Sequence, residues 1–212
     1  MSGSRLAQVI VLVEDLGQAR RDMQDLGFRV DEGGRHPGRG TANLIVPLGQ
    51  EYIELLAIVD VDEARASADG RPVLAALGRG GPGVARWSVE PSDIAAVGRR
   101  LALPVEQRRR IRSDGVEITW RAVGVNEAWA SPDRCAFMAW DDAALRPAGN
   151  ERSHPNGATA IASLTVECPD PAAARDWLGG DVPVAVTLTH AVGRGPAELI
   201  VATAAGEQMR VA

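Results

Sequence analysis

Residues 33–56 read GGRHPGRGTANLIVPLGQEYIELL: a glycine-rich turn carrying His36, then two apolar strands separated by a turn at Gly49. Strand side chains alternate between two faces, so parity decides where each residue points. Over 41–46, Ala42, Leu44 and Val46 share one face, and Thr41, Asn43 and Ile45 share the other. Over 51–57, Ile53, Leu55 and Ala57 oppose Tyr52, Glu54 and Leu56. Upstream, AQVIVLVEDL places Ala7, Val9, Val11 and Val13 against Gln8, Ile10 and Leu12. The apolar faces suit a covering helix. The opposite faces bring Gln8, Asn43 and Glu54 together on one concave surface, which accounts for a carboxylate inside an otherwise apolar strand.

The stretch belongs to a repeat. RGTANLIVPLGQEYIELLA (39–57) matches RGPAELIVATAAGEQMRVA (194–212) through RG-x-A-x-LIV. Before each copy lies a strand and then a helix. In the first, DLGQARRDMQDLG follows AQVIVLVEDL, with Asp15 as N-cap and Gln18 three residues on. In the last, TAIASLTVECPDP leads to a helix capped by Asp170 with Pro171 at its first position. A weaker copy lies between: GVARWSVEPSD, a helix DIAAVGRRLAL capped at Ser92, and strands near VEQRRRI, VEITWRAV and RCAFMAWDD. The expected units are 1–60, 83–141 and 158–212, each strand, helix, then three strands. Links rich in Gly, Pro and Asn fall near 60–82, with a short helical reading in its middle, and near 142–158.

Such a unit cannot cover both faces of its own sheet, so a second unit must close over the polar face. The fold class expected is α+β, with repeated βαβββ units forming an open mixed β-barrel. A third unit with no obvious partner suggests a homodimer.

Composition narrows the classes. The chain has 212 residues, 45% of them apolar, a net charge of −5, and arginine as its only basic residue. That balance disfavours nucleic acid as a partner. The absence of a long apolar run argues against a membrane span, and the location expected is cytoplasmic. Two distant cysteines, Cys135 and Cys168, do not form a disulfide framework or a zinc motif. The basic run QRRRIR at 107–112 reads as a solvated strand face, or as a phosphate patch.

Paired strand-helix-three-strand units resemble the vicinal oxygen chelate superfamily, which includes glyoxalase I, extradiol dioxygenases and bleomycin-binding proteins. Within it, VLVEDLGQARRDMQDLGFRV followed by GGRHPGRGTANLIVPLGQEYIELLA is similar to bacterial glyoxalase-like domain proteins, as are MAWDD…RP and HPNGAT. The resemblance implies a site with one ligand from the first strand and one from the last strand of each of two units. It holds a divalent metal that grips vicinal substrate oxygens while a base moves a proton. Carried onto this chain, the first unit offers Gln8 and Glu54. The second offers Arg86 and Ala139, and the third Ser163 and Arg210, none of which suits a cation. The two-histidine, one-carboxylate iron site of a dioxygenase is also missing.

The expectation is therefore a glyoxalase-like protein binding a small oxygenated metabolite and catalysing proton transfer of lyase or isomerase type, without a tightly bound metal. Glu54 is the base and His36 the second catalytic candidate. Gln8, Asn43, Thr41, Arg86 and Trp120 are the substrate-binding candidates, and Glu54 and Arg86 are also read as a cavity ion pair. Trp129 joins Trp120 near the cavity, while Trp87, Trp140 and Trp177 are assigned to the core. His154, before Pro155, is a weaker candidate. The alternatives are a non-catalytic protein binding drug-like or aromatic molecules, and a lyase using a divalent metal on Gln8 and Glu54.

Overall fold

The structure, a computed structural model, describes residues 3–111, 115–147, 153–193 and 195–211. Arg112 and Arg194, which belong to two motifs above, lie outside them.

The first segment runs β1 (Arg5–Leu12), α1 (Leu16–Asp25), β2 (Asp31–His36), β3 (Thr41–Leu48) and β4 (Glu51–Ile58). Asp15 caps α1, accepting the Gln18 N–H at 2.6 Å. The Gln18 side chain turns to Asp22 instead of back to the cap. Strand β2 was not evident from sequence: the glycines of 33–40 read as turn, yet residues 31–36 pair with β3 and only 37–40 turn.

Next come α2 (Val61–Ala66) and α3 (Gly70–Gly80), so the region read as a link is largely helical. The second segment is β5 (Gly83–Glu90), α4 (Ile94–Leu101), β6 (Glu106–Ile111), β7 (Glu117–Val123), α5 (Val125–Ala130) and β8 (Ala136–Trp140). Asp93, not Ser92, caps α4, accepting from Ala95 and Ala96 N–H groups. The third segment is β9 (Ala158–Cys168), α6 (Pro171–Trp177), β10 (Val186–His190), β11 (Gly195–Thr203) and β12 (Gln208–Arg210).

The first eight strands form one mixed sheet, ordered β2-β3-β4-β1-β5-β8-β7-β6. Each half has the same wiring: its last strand lies parallel beside its first, β4 on β1 and β8 on β5. The halves meet at the antiparallel β1–β5 seam, and the sheet curls into a nearly closed barrel.

The third segment keeps the order of parts but is wired differently. β9 lies between β10, parallel to it, and β11, antiparallel, with β12 outermost. Ser163 and Arg210 therefore flank β11 from opposite sides, each paired with Ile200. They do not share adjacent strands as the ends of β1 and β4 do. Arg210 reaches Glu198 on the exposed surface.

One apolar cluster spans all three segments. Val9, Val46, Ile53, Trp87 and Phe137 from the large sheet pack with Ile161, Leu164, Val166, Leu199 and Val201 from the small one. The small sheet thus finds cover within the chain. Both cysteines are free and buried, and burial raises the Cys168 thiol to about 11. Among the described residues no helix is long and apolar enough to cross a membrane.

Leu164 is fully buried at the centre of this shared core. Leu164→Ala should destabilise the protein by about 2–5 kcal/mol. Because the core is continuous, urea denaturation followed by tryptophan fluorescence and by circular dichroism should shift together in one transition.

Candidate active site

The concave face of the large sheet encloses a cavity of about 140 Å³. Period-two alternation supplies its floor: Gln8 and Ile10 from β1, Thr41, Asn43 and Ile45 from β3, Tyr52, Glu54 and Leu56 from β4, and Arg86 and Ser88 from β5. Every site residue expected from sequence lines it: Gln8, His36, Thr41, Asn43, Glu54, Arg86 and Trp120.

Glu54 is buried and accepts hydrogen bonds on both carboxylate oxygens. The Gln8 amide donates to Oε2, and the Asn43 amide donates to Oε1 at 2.6 Å. Ser88, missed from the sequence, donates to the Gln8 carbonyl oxygen at 3.1 Å. The strand register explains this chain of contacts. Gln8 pairs directly with Ser88 across the seam, and Asn43 lies diagonal to Glu54. Gly33 is needed beneath Asn43, because a Cβ there would lie 1.9 Å from the Asn43 side-chain oxygen. The glycines of the opening motif thus act partly by absence of a side chain, not only through turn geometry.

The expected Glu54–Arg86 ion pair is not formed. Glu54 pairs with Ile10 on β1, and Ile10 pairs with Arg86 on β5. Acid and guanidinium therefore share one row with a residue between them, two strand spacings apart, or about 9.5 Å at the backbone. Arg86 instead lies over Trp129, its Cζ 5.0 Å from the ring centroid, with Nε buried and unpaired. Burial pulls the Arg86 guanidinium below its usual value and Glu54 opposes that pull. It stays charged, because arginine does not deprotonate in proteins.

His36 closes β2 beside the cavity, its Nδ1 2.8 Å from the Thr41 hydroxyl. Burial lowers its pKa from 6.5, and nearby Glu54 only partly counters this. Burial, and then the Glu54 charge, push the Tyr52 phenol well above its ordinary range. His154 is structural. Its Nδ1 accepts the Arg29 N–H at 2.9 Å and its Nε2 donates to the Pro47 carbonyl at 2.5 Å, tying residues 153–157 to β3.

The remaining walls come from the second segment and the region between the two. Trp120 and Trp140 form a tilted aromatic pair 5.4 Å apart, so Trp140 lines the cavity instead of the core. Of the basic run, Arg108 and Arg110 face inward by alternation, while Arg109 is exposed on the other side. Asp69, just before α3, binds Arg39 at 3.1 Å and Arg108 at 3.0 Å, drawing the two halves of the rim together.

Gln8 and Glu54 are the metal-ligand candidates. The register replaces the earlier counterparts Arg86 and Ala139 with Ser88, opposite Gln8, and Met138, two residues beyond the partner of Ser88. Ala139 packs on the helix side. Among the described residues no three of His, Cys, Asp and Glu come together as metal ligands. A carboxylate already engaged by two amides, facing arginines, does not fit a divalent cation.

The lowered His36 pKa has a consequence for stability. Between 6.5 and the lower folded-state value the unfolded chain binds the proton first, so this contribution is complete above 6.5 and is lost as pH falls through the folded value. Urea midpoints should fall as the buffer is taken below 6.5, and His36→Gln should flatten that slope. Separately, Gly33→Ala should dislodge the Asn43 amide and cost about 1–3 kcal/mol, the range for a disrupted buried hydrogen bond.

A hypothetical protein from Staphylococcus aureus, known from its crystal structure, superposes with a TM-score of 0.64 at 15% identity, covering 98% of this chain and 85% of that one. A methylmalonyl-CoA epimerase from Mycobacterium tuberculosis matches at 20% identity and a TM-score of 0.43, over 64% and 86% of the two chains. A methylmalonyl-CoA epimerase in complex with methylmalonyl-CoA and ammonium matches at 18% and 0.47, over 68% and 99%. No curated protein matches the sequence. The family model for the glyoxalase-like domain matches residues 9–181, and the chain belongs to that family.

Proposed function

We propose that this protein binds a small oxygenated metabolite in the barrel cavity and transfers a proton on it, as a lyase or isomerase, without a tightly bound metal. The observation that carries this reading is Glu54. It is a buried carboxylate oriented by two amides, free of cationic contact among the described residues, and it opens into the cavity. A general base needs that arrangement: a fixed acceptor within reach of an acidic C–H, in a site that excludes bulk water. Gln8 and Asn43 orient the base, with Ser88 holding Gln8. His36, which burial keeps neutral, is suited to donate a hydrogen bond to a substrate oxygen, and Glu54 returns the proton it takes. Arg86 supplies positive charge toward which an enolate can develop. A metal-dependent lyase is disfavoured by the donor set.

One observation favours a second reading. Trp120, Trp129 and Trp140 line the cavity and offer faces for a flat ligand, as a binding protein without chemistry would use.

Solvent exchange separates the two. The protein should catalyse deuterium incorporation at carbon acids next to a carbonyl, followed by proton NMR in heavy water across a panel of small oxoacids and hydroxyketones. Glu54→Gln should lower that rate by about 100-fold or more. Exchange absent from every member of the panel, with ligand binding intact, rejects the enzyme in favour of the binder.

A further inference from the structure

The cavity carries an imbalance of charge of which the proton-transfer reading uses only Arg86. Its lining holds four arginines, Arg39, Arg86, Arg108 and Arg110, against two carboxylates, Glu54 and Asp69. Asp69 is engaged by Arg39 and Arg108, and Arg108 also contacts Glu106. Arg86 and Arg110 have no acidic partner in contact among the described residues, and the Nε of each is buried without a hydrogen bond. Both line the cavity with Tyr52, where burial and then the Glu54 charge raise the phenol and Arg110 and Arg86 oppose them. Arg110 also acts on His36 across the barrel. Two guanidinium groups, from β5 and β6, therefore line the same cavity as the base, each with its Nε buried and unsatisfied. Leaving such donors dry and unpaired is unfavourable, and an anion entering the cavity relieves it.

Resting on the proton-transfer reading, we infer that the substrate is a small organic acid anion whose carboxylate is held between Arg86 and Arg110, presenting its neighbouring C–H to Glu54. The planar fork of a guanidinium matches the two oxygens of a carboxylate, which a neutral amide of the same shape cannot exploit. The Trp129 ring covers one side of the Arg86 guanidinium, whose Cζ lies 5.0 Å from the ring centroid. Arg110 reaches the cavity from β6, because alternation turns it inward while Arg109 turns out.

The test uses acetate, pyruvate and benzoate as probes, with acetamide, pyruvamide and benzamide as uncharged counterparts. Titration is followed by tryptophan fluorescence and by calorimetry in a chloride-free buffer. At least one carboxylate should bind ten-fold or more tightly than its amide. Arg110→Met should weaken that carboxylate by about ten-fold or more, leaving the amide unchanged. Arg110→Lys should recover only part of the loss, and Arg109→Met, outside the cavity, should change nothing. Thermal melts verify that each variant is folded, and Arg86→Met gives a second, independent reading of the clamp. No saturable binding by any of the three acids overturns the inference. So does an amide binding as well as its acid, or an equal loss from Arg109→Met and Arg110→Met. The clamp and the base fail separately: carboxylate binding that survives in Glu54→Gln with no exchange in the native protein sinks only the chemistry. Glu54-dependent exchange without carboxylate preference sinks only the clamp.

Discussion

The site depends on the antiparallel seam between β1 and β5. Residues paired across it point to the same side, so the seam fixes which side chains of the two halves face each other. It brings Ser88 to Gln8, and through Gln8 to Glu54. It also holds Arg86 one residue beyond Glu54 in the same row, with Ile10 between them. A one-residue slip would turn every one of these groups into the hydrocarbon core. The apolar faces on the other side of the sheet forbid that slip, since Val9, Trp87 and Val89 would then have to face the cavity. Burial on one face enforces the polar arrangement on the other.

Ile10 has a particular part in this. Opposite charges left in contact inside a barrel neutralise each other, and a ligand must then break them apart. With an apolar residue between them, Glu54 is positioned by uncharged amides and Arg86 by the face of Trp129. Neither charge is consumed by the other. On the proposed reading the space above Ile10 is where a substrate touches both, and Ile10 packs with Leu12, Leu56, Val73 and Trp129 in an apolar cluster that, Leu12 apart, itself lines the cavity.

The sequence made the first segment legible because its strands alternate cleanly between apolar and polar faces. The same parity brings Gln8, Asn43, Glu54 and Arg86 to the concave face. Local pattern could not supply register. Arg86 was set beside Glu54 because both had the right parity, but only the pairing shows that Ile10 separates them and that Ser88 is the residue opposite Gln8. Strand β2 was hidden because its glycines serve the packing of Asn43 as well as the turn. The third segment misled for a related reason. RG-x-A-x-LIV describes a strand and its turn, which are alike in both copies, but it is silent on which strand lies beside it. From sequence the run 107–112 reads as a solvated strand face or loop, or as a phosphate patch, and nothing local turns Arg108 and Arg110 toward a cavity. Curling of the sheet brings that edge over the cavity.

The departure from the family's metal pattern follows from the same register. A metal centre needs donors converging from both halves, and here the second half places Ser88 and Met138 where ligands are expected. Met138 gives no hard oxygen donor, and in the first half the Gln8 amide donates to Glu54. Positive charge reappears in the cavity as guanidinium, from Arg86 and Arg110. A guanidinium differs from a metal ion in being directional and singly charged, and it does not lower the pKa of a bound water to make a nucleophile. On the proposed reading, such a site retains the ability to stabilise an enolate next to a fixed base, and loses the ability to activate water. Proton shuffling on an anionic carbon acid is the chemistry that this exchange of cations leaves available.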